Sequence, residues 1–243
     1  MTMTAAHAAV SLSTTRVLYP EASAAIPVQL NNVGEQPALV QDWIDDGNPN
    51  STPQNSHAPF ILTPPIVRIE PHRGQTLQLD FAADPKNPTP KDRESVFWLN
   101  VLDIPPMPDH AVTGDNTLQI ALRTRIKIFY RPTGLAGVPM DTAKKTEWAI
   151  VASGDKSMMT LETKNPTPFH LSLTTLEVNL NGHFYSKGHL GMVEPFSSLT
   201  IQLEDQNKKL ADSEHLEHAS SNQVLFHYVD DYGAELNQMS TLK

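Results

Sequence analysis

Apolar residues recur at every second position over short runs along most of this chain, and turn-forming residues separate the runs. A period of two is that of a β-strand with one buried face. Such runs cover Val10–Tyr19, Ile26–Asn32, Ala38–Asp45, Phe60–Ile69, Gln75–Phe81, Ser95–Asp103 and Thr117–Tyr130. Seven short strands in about 130 residues, with Pro, Gly, Asn and Asp between them, match an immunoglobulin-like sandwich. The polar segment Asp46–His57 reads as a surface loop. At Arg131-Pro132-Thr133-Gly134 the pattern breaks, because proline ends a strand and glycine permits a bend. That break divides the chain into residues 8–132 and 133–243. Beyond it, Glu147–Val151, Met158–Thr163, Phe169–Leu180, Val193–Leu203 and Val224–Val229 read as a second set of strands, while the polar Gln206–His218 reads as a loop or a short helix. The expected fold class is all-β, with two sandwich domains.

The most informative run is Asn116 to Pro132, NTLQIALRTRIKIFYRP. Leu118, Ile120 and Leu122 alternate with small or polar residues. The strand then turns basic at Arg123, Arg125 and Lys127 and closes on Phe129-Tyr130. A strand of this kind can pair with another chain's backbone, fill an apolar groove, and hold an anionic group at one end. Strict alternation puts Lys127 on the face opposite Leu118, Ile120 and Leu122, so a bulge or strong twist between 122 and 127 is needed to turn both toward one ligand.

Composition narrows the function classes. With 243 residues the chain has room for two cores. A formal charge of −9 argues against general nucleic-acid binding, although it leaves room for a local basic pocket. The absence of cysteine removes thiol catalysis, disulfides and cysteine zinc sites. No apolar run is long enough for a membrane-spanning helix, and no membrane insertion is expected. Ala6-His7-Ala8 has the small-x-small form of a signal-peptidase site; a truncated export signal and a frayed alanine-rich terminus both fit it. His215 and His218 are three residues apart with no third ligand at a usable spacing, so no metal site is expected. None of the common catalytic signatures occurs, and no carboxylate pair stands out, so nothing motivates an enzyme or a cofactor.

Some single charges carry more. Arg16, in Thr15-Arg16-Val17, and Lys127 each read alone as surface residues. The first and last strands of an immunoglobulin-type domain run close together, however, and two cations meeting there would suit a carboxylate. Glu94, Arg131 and Asp231 read either as unrelated surface charges or as a network fixing the angle between the domains.

Several segments resemble one family. TRVLYP (15–20), LVQDWID (39–45), PFILTPPIVRIEP (59–71), DRESVFWLNVLDIPP (92–106), NTLQIALRTRIKIFYRP (116–132) and NPTPFHL (165–171) are similar to the PapD-like periplasmic chaperones of the chaperone–usher pathway. The resemblance implies two immunoglobulin-like domains in a boomerang, with pilus or fimbrial subunits and an outer-membrane usher as partners and the periplasm as location. It implies that Arg16 and Lys127 anchor a subunit's terminal carboxylate. Leu118, Ile120 and Leu122 are then lent to a subunit lacking its last strand, and Glu94, Arg131 and Asp231 form an interdomain salt-bridge set. The short segment Ile104–Asp115 is similar to that of the short-loop subfamily. Whether the free chaperone self-associates is left open by the sequence. A reading from another class, a two-domain adhesin or fibre subunit, is opposed by the complete strand set that the first domain's sequence presents.

Overall fold

The computed structural model of the chain describes residues 9–106, 120–151, 158–180, 183–205 and 222–243. It divides into two compact units, Met1–Lys91 with Ser95–Thr133, and Asp92–Glu94 with Gly134–Lys243.

The first unit is a sandwich of two sheets. Strands β1 (Val10–Leu12), β3 (Ile26–Asn32), β7 (Gly74–Phe81) and β5 (Phe60–Thr63) form one sheet in the order β1-β3-β7-β5. The other runs β2-β9-β8-β4-β6, from β2 (Arg16–Pro20), β9 (Leu122–Arg131), β8 (Ser95–Ile104), β4 (Ala38–Asp45) and β6 (Ile66–Ile69). Two runs that the sequence presents as continuous are each split between the sheets. The first breaks at Ser13–Thr15, where the Thr14 hydroxyl donates to the Arg16 carbonyl and replaces ladder bonding. The second breaks at Pro64-Pro65, which have no N–H to continue a ladder.

The core follows the alternation. Val28 and Leu30 of β3, Leu77 and Leu79 of β7, Phe97, Leu99 and Val101 of β8, and Ile126 and Ile128 of β9 are all buried in one cluster. Aromatic rings fill its lower end: Tyr19 packs edge-on against Phe60 and stacks on Tyr130, which stacks on Phe81. The Tyr19 hydroxyl accepts the Phe81 N–H and donates toward the Ser23 and Ala24 carbonyls, so no polar atom is stranded there.

The second unit holds one seven-stranded sheet in the order β10-β11-β14-β13-β12-β15-β16. These are Glu147–Val151, Met158–Asn165, Leu171–Leu180, His183–Val193, Ser197–Asp205, Gln223–Val229 and Glu235–Thr241 in chain order from β10 to β16. Its ends come together: Trp148 of β10 bridges Leu242, and the Lys243 N–H donates to the Trp148 carbonyl. The sheet therefore curls round its own core, built on Trp148, Leu161, Leu176, Leu203 and Phe226. Register shifts in β12 between Leu173 and Leu176 supply curvature. Strands β13 and β16 are absent from the sequence reading. The first, HFYSKGHLGMV, is interrupted by Gly188 and Gly191. The second, ELNQMST, is an edge strand with few buried side chains.

Candidate binding site

The site is built on β9. On one side β9 pairs with β8 over its whole length, from Leu122 opposite Asp103 to Tyr130 opposite Ser95. On the other side β2 runs parallel to it, but only from Lys127 to Arg131. Among the described residues, Leu122–Ile126 therefore has no strand on its second edge. An unpaired edge presents backbone donors and acceptors that another strand can satisfy.

At the point where β2 begins, Arg16 lies directly across from Lys127. This brings together the two cations that the sequence pairs only by the general layout of the fold. Their surroundings are aromatic. The Arg16 guanidinium stands 5.7 Å above the Phe129 ring, and Trp98 is the residue opposite Lys127 on β8. Burial pushes the Lys127 amine below its ordinary range, and the Arg16 charge lowers it further. Two cations held close, with one partly stripped of water, favour an anion between them.

The apolar residues of the strand are only partly in view. Leu122 opens β9 and is 37% exposed, Ile120 precedes the strand and is 49% exposed, and Leu118 lies outside the described residues. Among the described residues the strand begins at Leu122, opposite Asp103 of β8, which ends at Ile104 before Pro105-Pro106. The expected bulge is not present. Register between β8 and β9 is constant from 122 to 130, so Leu122 points with Ile126 and Ile128 while Lys127 points to the other face.

On that outer face a polar lattice occupies the strands beside Lys127. Asp45 of β4 is fully buried, and its carboxylate accepts from Arg125 Nε and Nη2, from Asn100 Nδ2 at 2.8 Å and from the Gly47 N–H at 2.8 Å. Burial alone would raise the Asp45 pKa, but the bonds from Arg125, Asn100 and Gly47 outweigh it and hold the carboxyl below the ordinary range. Arg125 lies 4.4 Å over the Trp98 ring, and Arg123 lies 4.8 Å over Trp43. Arg123 also donates to the Asn100 side chain and to the Pro49 carbonyl. The sequence reading noted Arg123 and Arg125 only as charge. The alternation of 123, 125 and 127 on one face, with an acidic residue ending β4, was the available signal.

Of the three residues expected at the domain junction, Glu94 is buried in the second unit. Its Oε1 accepts from the His170 backbone N–H at 3.0 Å and from His170 Nδ1 at 2.8 Å. His170 was not singled out in the sequence. Arg131 ends β9, where its carbonyl accepts the Glu21 N–H, and Asp231 stands in the turn after β15. The histidine pair His215 and His218 lies outside the described residues; among those that are described, no cluster of three or more metal-ligating side chains occurs.

Comparison with known proteins identifies the family. Residues 9–136 match the family model of the pili and flagellar-assembly chaperone PapD N-terminal domain, and residues 141–239 match the C-terminal domain of the pili assembly chaperone PapD. The chain is 38% identical to the "Probable fimbrial chaperone YadV" of Escherichia coli K12 over 93% of its length and 86% of the relative's. It is 42% identical to the chaperone protein FimB/FhaD of Bordetella pertussis over 84% and 82% of the two chains. A crystal structure of the YadV chaperone superposes with a TM-score of 0.74 and 33% identity, covering 96% of this chain and all of the other. The chain belongs to the PapD family of pilus-assembly chaperones.

Proposed function

We propose that this chain is a periplasmic chaperone that captures a pilus or fimbrial subunit lacking its last strand, completes it with β9 and its approach, and yields it to an outer-membrane usher. The observation that carries this reading is the open edge at Leu122–Ile126, which begins where Arg16 and Lys127 meet. A subunit strand laid along that edge would satisfy both sets of backbone groups. Its terminal carboxylate would lie between the guanidinium and the amine. Leu118, Ile120 and Leu122 would fill the subunit's groove, with Leu122 on the face of the strand opposite Lys127. One carboxylate clasp fixes register for the whole strand, since a slip of one residue would turn every lent side chain away from the groove. No bulge is needed, because the cation pair and Leu122 act on opposite faces of the same strand.

The energetics favour such a complex. Burying three Leu or Ile side chains contributes roughly 5 to 8 kcal/mol before ordering costs. The client gains as well, because an exposed apolar groove with unpaired edges aggregates. No nucleotide is required. We include in the reading that Glu94, Arg131 and Asp231 fix the relation of the two domains. The names of the similar chaperones support the client class, and the periplasm as location follows from their pathway.

The test is co-expression with a pilus subunit. The wild-type chain should co-purify with it one to one, whereas Arg16→Ala and Lys127→Ala should each lose the subunit while keeping the fold. Normal yield from both variants would refute the carboxylate clasp.

A further inference from the structure

We propose that Asp45 is a positioning residue for the carboxylate clasp: by pinning Arg125 across Trp98 it holds the surface against which Lys127 is aligned. The inference rests on the reading of Arg16 and Lys127 as the clasp.

The strand registers bring Asp45, Trp98, Lys127 and Arg16 into one row. Asp45 lies opposite Trp98, Trp98 opposite Lys127, and Lys127 opposite Arg16, across β4, β8, β9 and β2 in turn. Residues directly opposite on one face are near enough for their side chains to pack, and Trp98 holds the row position between Asp45 and Lys127. Arg125 belongs to the next row, opposite Asn100. To reach Asp45 its side chain crosses Trp98, and its guanidinium rests 4.4 Å from the ring. The ring is backed from another direction by Gly47, where a Cβ would approach to 3.3 Å and where φ is +120°.

Charge makes Asp45 necessary to this arrangement. Arg123, Arg125, Lys127 and Arg16 all lie on one face of two adjacent strands. Arg125 on its own would be driven outward by its neighbours. Asp45 holds it with a two-point fork, and the Asn100 and Gly47 donors fix the carboxylate in turn. With Arg125 released, Trp98 would lose its cover and Lys127 the wall that orients it. Asp45 touches no client; it acts through Arg125 and Trp98.

The probe is a nine-residue peptide of alternating valine and threonine, made with a free C-terminal carboxylate and as the carboxamide. Each form is titrated against the full-length chain by fluorescence anisotropy. The wild type should prefer the carboxylate by about tenfold, which equals about 1.4 kcal/mol. Asp45→Asn, and independently Arg125→Gln, should reduce that preference to about twofold while leaving carboxamide affinity unchanged. A general loss of structure would instead weaken both peptides together, and this would overturn the inference. So would an undiminished preference in Arg125→Gln, a partly exposed position whose folding is checked by circular dichroism; the clasp itself would then survive. Absence of any preference in the wild type would reject the clasp and this inference with it.

Discussion

In the proposed clasp, Lys127 owes its character to its position. Its amine is partly buried beside a second cation, and both circumstances destabilise the charged form unless an anion arrives. Removing either member of the Arg16–Lys127 pair should therefore cost about 2 to 5 kcal/mol of client affinity, read as retained subunit in a pull-down. Asp42 of β4 presents the opposite case. Its side chain points into the first core with Val40 and Ile44, it is 3% exposed, and neither carboxyl oxygen has a hydrogen-bond partner. Burial raises its pKa from 3.8 to about 7. The folded chain consequently holds a proton there that the unfolded chain has released, so stability should fall as pH rises between about 4 and 7. The change is on the order of 4 kcal/mol at most. Asp42→Asn should flatten that dependence, measured as the denaturation midpoint at pH 4.5 and 7.5. An equally steep slope in the variant would dissociate it from Asp42. Neither Asp42 nor Asp45 was singled out from the sequence. Both sit in the run ALVQDWID, where a strand pattern assigns faces but cannot say that one carboxylate meets two arginine donors and the other meets none.

At the scale of the element, β9 combines two tasks that alternation separates cleanly. Its even-numbered residues Ile126, Ile128 and Tyr130 complete a core, and Leu122 at its start is exposed, as is Ile120 just before it; its odd-numbered residues carry the cations. Leu122→Arg or Ile120→Arg should impair subunit capture in the same pull-down without unfolding the first domain, because both side chains are exposed in the free chain. Undiminished capture would count against strand lending. Most strands could be read from period-two runs bounded by turn residues, including β9 and its basic half. The readings that missed did so for definable reasons. A run can pass from one sheet to the other at a threonine or a pair of prolines with no change in its apolar pattern, as between β1 and β2 or β5 and β6. An edge strand such as β16 satisfies its backbone on one side while burying little, so its sequence looks like a loop.

At the scale of the whole molecule, the chain forms two units with separate cores. Glu94 is anchored to His170 within the second unit, although it precedes β8 of the first in the chain. Arg131 ends the strand that carries the clasp. If Glu94, Arg131 and Asp231 fix the junction, Arg131→Ala should broaden the distance distribution in small-angle scattering; an unchanged profile would remove Arg131 from that role. The central claim is that a client's tail strand docks along the open edge of β9. Hydrogen–deuterium exchange of the chain, alone and with a bound pilus subunit, tests it most directly. The account predicts new protection of those backbone amides in 122–126 that face the open edge, with the alternate ones already bonded to β8, and the paired 95–103, unchanged. Subunit binding that leaves 122–126 exchanging as in the free chain would contradict it.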